Sequence, residues 1–207
     1  MKVVVQNLHK IAGLASDLLV DQYDPDVLLA QEINLRTEKA ASRHYNIAHN
    51  TSRSQGYGTA IFGKNELSNV KLVSSPHAEF GGTIVKKTTV ATCDGVQFVS
   101  FHGYNGQPFK VVSKLVDHVK AVVKVLDKDG PAIFAGDFNT WSETHVEAVE
   151  QELKKVGFKP AYSWPYPDRD VPLDHAFTRQ VTLKAASAFR NSSDHFGSVL
   201  EVVVENC

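Results

Sequence analysis

The feature that most constrains the fold is a set of short apolar runs that end abruptly in polar residues. The run Ala132–Ala135 lies between Gly130-Pro131 and Gly136, which is typical of a buried strand in an α/β protein. Asp137 and Asn139 follow it, and they face the same way if the chain stays extended. Taken alone, an Asp-x-Asn sequence favours a turn. Because open α/β sheets bind ligands at the carboxyl edge, the pair is also a candidate site.

The rest of the pattern predicts strands interspersed with three helices. The helices are predicted over 9–22, from Pro108 to Gly130, and from a capping box at Thr140 and Glu143 to about 155. The Pro- and Tyr-containing segment 161–172 is predicted to be a surface loop. Strands are predicted over 2–7, 26–32, about 45–49, 57–63, 68–74, 82–92, 95–102, 132–135, 173–178, 181–189 and 197–204.

Composition indicates one globular domain over residues 1–207, since 43% of the residues are hydrophobic and there is no repeat or linker. The formal net charge of -1 gives no global electrostatic argument for a nucleic-acid or membrane partner, although a local patch stays open. There is no apolar run of about 18 residues and no signal-peptide pattern at the N-terminus, so a cytoplasmic location is expected. Two cysteines, Cys93 and Cys207, form no disulfide framework and are assigned no role.

Polar residues that end buried strands recur in separate segments. Any one of them could be a capped turn, and a single histidine is more often structural than catalytic. Several carboxylates converging on one place would repel one another unless a cation lay among them, and carboxylate and amide oxygens favour Mg²⁺ or Mn²⁺ over zinc. The members of this set are Asn7, Glu32, His102, Asp137, Asn139, Asp174, Asp194 and His195.

The order of these segments resembles the endonuclease/exonuclease/phosphatase superfamily. The matching pieces run along the chain as "VVVQN", "LLAQE", "SFHGYN", "AGDFN", "PLDHAF" and "SSDHF". The resemblance implies a four-layer α/β sandwich of two packed mixed β-sheets flanked by helices. It also implies a site at the upper edge of the sandwich.

Chemistry and the resemblance together suggest roles for five of these residues. Glu32 would hold the metal ion, with Asn7 nearby and Asp194 as a possible further ligand. Asp137 would orient and deprotonate the attacking water. Asn139 would donate a hydrogen bond to the phosphate.

The histidines have separate predicted roles. His195, paired with Asp174, would hold or protonate a phosphoryl oxygen, because a carboxylate partner favours the imidazolium. His102 and Asn105 lie where exonuclease III-type members of the family tend to carry a tyrosine, so the chain resembles the histidine-bearing branches. There His102 would assist the leaving oxygen and Asn105 would contact the substrate.

The resulting hypothesis is a Mg²⁺- or Mn²⁺-dependent phosphodiesterase, most plausibly a nuclease acting on DNA, RNA or a nucleotide-like diester. A phosphomonoesterase, a lipid-headgroup phosphodiesterase and a noncatalytic phosphate-binding module are the alternatives, since fold does not select substrate. A monomer is expected, and no protein partner can be inferred. The scattered basic residues that could reach phosphates, but that are usually solvated surface, are Arg36, Arg53, Lys86, Arg169 and Arg190.

Overall fold

The computed structural model describes residues 1–13, 19–35, 45–52 and 55–205. Within these ranges the chain forms twelve strands and three α-helices. The helices are α1 (Asp21–Tyr23), α2 (Val112–Val123) and α3 (Glu143–Lys154). The strands are β1 (Lys2–Asn7), β2 (Val27–Ile33), β3 (Asn46–Thr51), β4 (Gly58–Gly63), β5 (Ser68–Ser74), β6 (Lys87–Cys93), β7 (Val96–His102), β8 (Ala132–Asp137), β9 (Lys159–Tyr166), β10 (Arg169–Arg179), β11 (Val181–Phe189) and β12 (Gly197–Val204).

The strands form two six-stranded sheets, and the prediction of two packed mixed sheets is confirmed. The first sheet has the order β11-β12-β1-β2-β4-β3 and the second has the order β5-β6-β7-β8-β10-β9. Each sheet contains one parallel pair, β1 with β2 and β7 with β8, among antiparallel neighbours. The two strands of a parallel pair end at the same edge of their sheet, which we call the carboxyl edge.

The main core lies between the two sheets. Its first-sheet side includes Val5 and Leu29, and its second-sheet side includes Phe98 and Ile133, all fully buried. Strands that bury both faces are continuous apolar runs, which is why β1, β2 and β8 were recognisable in the sequence.

Helices α2 and α3 cover the outer face of the second sheet. Leu115 and Val119 of α2, together with Leu153 of α3, pack against Phe101 and Phe134 of the sheet. The outer face of the first sheet carries a separate buried cluster that includes Leu8, Leu19, Tyr45 and Phe62. None of the helices in the described ranges is long and apolar enough to cross a membrane.

The helix predicted over 9–22 is wrong at its start. Residues 9 and 10 form a turn with positive φ, and among the described residues of this segment the backbone is helical from residue 19 to Tyr23. The chain after β1 continues along β2, because Leu8 donates to the carbonyl of Gln31 and Lys10 donates to that of Glu32. These bonds hold the backbone at the sheet before a helix can begin. Residues 14–18 lie outside the described part.

The other two helices begin later than predicted. The backbone N–H of Lys110 donates to the carbonyl of Gly106, and Lys110 itself has φ 46. Because this turn precedes the helix, α2 begins at Val112 rather than at Pro108. Thr140 donates its hydroxyl to the carbonyl of Pro172 and is not the cap of α3, whose N-cap residue is Ser142. The first change arises from a local turn over residues 106–110, whereas the second arises from a contact 32 residues away in sequence, which the local pattern does not contain.

The surface loop predicted over 161–172 is wrong, since this segment belongs to the β9–β10 hairpin. Strand β9 lies at the edge of its sheet, where prolines such as Pro160 and Pro165 are tolerated because an edge strand does not need every N–H. Trp164 is fully buried between the sheets and donates its indole N–H to the carbonyl of Phe196. Strand β6 is also shorter than predicted, since it begins at Lys87.

Candidate active site

The strand ends predicted from the sequence meet at the carboxyl edges of the two sheets. His102 and Asp137 are register partners at the ends of β7 and β8, and Asp174 of β10 lies opposite Asp137. The amide of Asn7, at the end of β1, donates to Asp137 Oδ2 over 3.0 Å, so the two carboxyl edges lie together. One cavity of about 220 Å³ is lined by Asn7, Glu32, His102, Asn105, Asp137, Asn139, Asp194 and His195. Asp174 is fully buried behind His195.

Glu32 is turned toward this cavity by an irregularity in β2. The pairing of β2 with β4 shifts register between Gln31 and Ile33, and Glu32 has φ 49. A bulge of this kind re-aims one side chain without ending the strand. Glu32 Oε2 lies 3.2 Å from Lys10 Nζ but is buried without a hydrogen bond among the described residues. A carboxylate oxygen therefore stays available at the cavity.

The Gly-Asp-Phe-Asn motif is both a turn and part of the cavity. Gly136 has φ 139, and a Cβ there would lie 2.2 Å from the carbonyl oxygen of Phe101, so only glycine fits. Asn139, with φ 56, donates its backbone N–H to Asp137 Oδ1 over 2.9 Å. Its side-chain amide donates to the carbonyl of Gly103 over 3.1 Å. The turn thus fixes Asp137 and Asn139 in one rigid unit.

Asp137 lies at the centre of the polar groups. Its Oδ2 accepts from Asn7 and lies 3.5 Å from His102 Nε2 and 3.8 Å from His195 Nε2. Burial raises the pKa of Asp137, and the positive charges of His195 and Lys86 oppose this without cancelling it. A carboxylate whose pKa is raised by burial is a stronger proton acceptor than one at the surface.

His195 is held as a cation by two carboxylates. Its Nδ1 lies 2.8 Å from Asp174 Oδ2, which leaves Nε2 directed toward Asp137. Burial disfavours the imidazolium, but Asp174 and Asp137 outweigh it and raise the pKa of His195 to about 10. The ring of Tyr166 packs edge-on against His195 at 4.8 Å.

Lys86 lines the cavity, although the sequence analysis placed it only among scattered basic residues and gave it no catalytic role. It is 8% exposed, and its Nζ lies 2.8 Å from His102 Nε2. An ammonium group only donates hydrogen bonds, so His102 Nε2 must be unprotonated. Burial, followed by the charge of Lys86, holds the pKa of His102 well below its usual range. The only sequence signal was one basic residue just before β6.

The remaining predicted residues lie at the rim of the cavity. Asp194 is partly exposed and pairs with His9 Nδ1 at 3.2 Å. Asn105 accepts the indole N–H of Trp141 over 2.8 Å and donates its backbone N–H to Glu79. Arg169 contacts Trp141, whereas Arg36 and Arg53 lie outside the described residues.

The donor atoms of the cavity fit a hard divalent cation. Glu32 brings a buried oxygen without a hydrogen bond, and the Asn7 side-chain oxygen and the Asp194 carboxylate line the same cavity. Asp137, Asp174 and His195 also place ligand atoms within 4.8 Å of one another. However, the ion pair between Asp174 and His195 places an imidazolium within that second group, where it would repel a metal cation. The side of the cavity near Glu32 therefore fits an oxygen-ligated Mg²⁺ or Mn²⁺ better.

Two mixed sheets with an acidic cavity at their carboxyl edges define the class as deoxyribonuclease-like. The family model described as "Endonuclease/Exonuclease/phosphatase family" matches residues 17–195. The chain therefore belongs to the endonuclease/exonuclease/phosphatase family, as its sequence motifs predicted.

Two curated relatives share parts of this chain. A UPF0294 protein from Vibrio parahaemolyticus is 43% identical over 72 residues, which are 32% of this chain and 25% of that protein. A UPF0294 protein from Vibrio campbellii is 32% identical over 120 residues, which are 54% of this chain and 41% of that protein. The matches thus span less than half of each relative.

Solved structures of the family have the same fold at low sequence identity. An endonuclease/exonuclease/phosphatase from Bacteroides vulgatus has a TM-score of 0.77 at 15% identity, covering 99% of this chain and 98% of that one. The 3′ phosphatase NExo from Neisseria, bound to a product DNA hairpin, has a TM-score of 0.74 at 17% identity, covering 97% and 98%. A mannosyl-6-phosphatase from Bacteroides thetaiotaomicron has a TM-score of 0.71 at 17% identity, covering 98% and 99%.

Proposed function

We propose that the protein is a divalent-metal-dependent phosphodiesterase that hydrolyses its substrate by attack of an activated water. The observation that carries the proposal is the composition of the cavity. It combines Glu32, which has a carboxylate oxygen without a hydrogen bond from a described residue, with Asp137, a buried carboxyl group, and His195, which carries a positive charge. Phosphoester hydrolysis needs these elements together, namely a metal ligand, a proton acceptor and a neutralising cation.

Glu32 would hold the ion, with Asn7 and Asp194 as neighbouring ligands. When bound, Mg²⁺ or Mn²⁺ would neutralise the phosphate oxygens and the charge that develops on them. Glu32 contributes a full negative charge, and Lys10 Nζ lies 3.2 Å from its Oε2. Lys10 would have to share or release that carboxylate when metal binds, and its side chain is 46% exposed.

Asp137 would orient and deprotonate the water. The hydrogen bonds from Asn7 and from the backbone of Asn139 fix both of its oxygens, so the proton acceptor is positioned before substrate arrives. The amide of Asn139 lies beside it and would donate to a phosphoryl oxygen. His195, kept cationic by Asp174, would contact another oxygen of the same phosphate.

We propose a role for His102 that differs from the one expected from the sequence. Because its Nε2 accepts from Lys86, His102 does not carry the proton that a leaving oxygen needs. Lys86 does carry one, and both residues line the cavity. We assign assistance of the leaving oxygen to the pair, with Lys86 as donor and His102 as the group that positions it.

A polynucleotide is the substrate class that we favour. Phe109, which is 85% exposed, lies between Gln107 of the cavity wall and Lys110, where a base could stack on it. The Neisseria structure supports this choice, since that protein is a 3′ phosphatase bound to a DNA hairpin. The Bacteroides mannosyl-6-phosphatase has the same fold, so a phosphomonoester is the second candidate.

A substrate panel tests the proposal. Purified protein with Mg²⁺ or Mn²⁺ is compared on single- and double-stranded DNA, RNA, cyclic dinucleotides, inositol phosphates, sphingomyelin, a chromogenic diester and a sugar phosphate, with Asp137→Asn as the blank. We expect polynucleotide to be cleaved fastest and EDTA to abolish the reaction. Activity that survives EDTA undiminished would exclude the metal mechanism, and preference for the sugar phosphate would select the monoesterase.

A further inference from the structure

Two cations lie over the indole ring of Trp141 at the rim of the cavity. Lys110 Nζ lies directly over the ring, and Arg169 Cζ lies 4.5 Å from its centroid. Arg169 also donates to the backbone carbonyl of Trp141 over 2.9 Å, and Asn105 accepts the indole N–H. The three side chains therefore form one ordered group, which we call the Trp141 cluster.

The positive charge of this cluster is not neutralised by an acidic partner. Among the described residues, neither Lys110 nor Arg169 forms an ion pair with a carboxylate, whereas Lys10, Lys71 and Lys155 do. Arg169 Nε is buried without a hydrogen-bond partner. Burial and then the charge of Arg169 lower the pKa of Lys110 to about 8. A bound anion would relieve both effects.

The cluster adjoins the reacting centre. Trp141 lies two residues after Asn139, and both line the cavity with Asn105. Arg169 is the register partner of Tyr166 in the β9–β10 hairpin, and Tyr166 packs on His195. A ligand whose phosphate reached His195 and Asn139 would thus extend past Trp141.

We propose that Lys110, Trp141 and Arg169 form a second anion subsite, which binds the phosphate next to the scissile one in a polynucleotide. The inference rests on the proposed function and names its substrate class more closely. Arginine and lysine suit this task. A guanidinium group presents several N–H donors in one plane, and an ammonium group provides a compact positive charge. A substrate with one phosphate would have no group to place there.

The test compares a trinucleotide, which has two internal phosphates, with a dinucleotide, which has one. Lys110→Met and Arg169→Met should each raise KM for the trinucleotide about tenfold, the size expected for one lost charged contact, and change KM for the dinucleotide less than twofold. The slope of the logarithm of trinucleotide affinity against the logarithm of salt concentration should also become shallower, by about the amount expected for one phosphate contact. Lys120→Met, which removes an exposed lysine of α2, is the control and should change neither.

A binding measurement separates this inference from the proposed activity. Metal-free protein is titrated with pyrophosphate in EDTA while tryptophan fluorescence is followed, and thermal melting verifies that each variant is folded. Binding by wild type that is weakened in both variants supports the subsite even if no diester is cleaved. Equal pyrophosphate binding in all three proteins, or an equal rise of KM for both oligonucleotides, would overturn it. Arg169→Lys, which keeps the charge, should recover part of the affinity.

Discussion

The two ends of the β8–β10 ladder hold buried charges in opposite ways. Asp174 pairs with Asp137 at the carboxyl edge, and Arg179 pairs with Ala132 at the other end of the same two strands. Arg179 is 6% exposed and donates five hydrogen bonds to backbone carbonyls, which belong to Asp127, Lys128, Asp129, Gly130 and Val156. At the carboxyl edge, Asp174 Oδ1 and Glu32 Oε2 are buried with no hydrogen bond from a described residue.

This difference indicates which end serves the fold and which serves a ligand. The Arg179 end adjoins a cavity of about 690 Å³, roughly three times the volume at the carboxyl edge. Cavity volume alone would thus select the Arg179 end rather than the carboxyl edge. Buried polar groups in proteins are nearly always paired, so unpaired ones point to a partner that binds later. The Arg179 guanidinium holds loop carbonyls against the sheet, whereas the carboxyl edge keeps buried acceptors that receive no hydrogen bond from a described residue.

The largest expected effect comes from Asp137→Asn. Removing the proton acceptor should lower turnover about 10⁴-fold, the upper end for a general base, while folding stays intact. The control is the same substitution at the Arg179 end, Asp127→Asn, whose side chain is 54% exposed. Steady-state rates with Mn²⁺ test both variants. If Asp137→Asn keeps a tenth of the wild-type turnover, Asp137 is not the base.

Arg179→Met should produce the reverse pattern. The substitution removes the guanidinium group, which donates to five backbone carbonyls. It should therefore lower the free energy of unfolding by roughly 2 to 4 kcal/mol. The turnover of the folded fraction should not change, because Arg179 lies at the opposite end of β10 from the site. Urea unfolding and kinetics on the same samples measure both quantities. Arg190→Met, which removes an arginine stacked on Phe196, is the control. A loss of turnover without a loss of stability would contradict the assignment of the two ends.

Glu32→Gln should weaken metal binding rather than folding. The substitution keeps the shape and removes the charge, so metal affinity should fall at least 10-fold, and excess Mg²⁺ or Mn²⁺ should restore part of the rate. Glu152→Gln is matched in exposure, at 13% against 14% for Glu32, and should leave affinity unchanged. Calorimetric titration with metal is the measurement. Equal affinity in wild type and Glu32→Gln would assign Glu32 another task.

The smallest expected effect concerns His118, which lies on the buried face of α2. Burial lowers the pKa of His118 to about 3, well under the 6.5 of an unfolded histidine. Between these values only the unfolded state binds the proton, so the stability is complete above pH 6.5 and is lost as pH falls. The loss is about 1.4 kcal/mol per pH unit. His118→Gln should flatten this part of the stability curve, measured by urea unfolding from pH 7 to 5.

His49→Gln, which removes an exposed histidine, is the control for this measurement. It should leave the slope of wild type unchanged. If the free energy of unfolding falls equally steeply with falling pH in wild type and in His118→Gln, then His118 binds the proton equally in the folded and unfolded states.

The positions of the catalytic candidates were predictable because they depend on local patterns. Continuous apolar runs identify strands buried on both faces, and parallel neighbours must end at one edge, so the polar residues after β1, β2, β7 and β8 were expected to meet. Gly136 and Asn139 likewise belong to a four-residue turn whose chemistry is contained in its own sequence. Their roles stay predictions, as do the single domain over 1–207, the cytoplasmic location and the monomeric state.

Other features depend on contacts between residues that are far apart in the chain, and only the tertiary structure decided them. The prolines of segment 161–172 indicated a loop, but an edge position in the sheet made them compatible with β9. Thr140 would cap a helix on local sequence alone, but its hydroxyl donates to the carbonyl of Pro172 instead. Lys86 became part of the site because β6 lies next to β7, which places its ammonium group against His102. Sequence alone determined which residues end strands, whereas packing of the two sheets determined which charges face one another, since electrostatic and hydrogen-bond energies depend on distances through space.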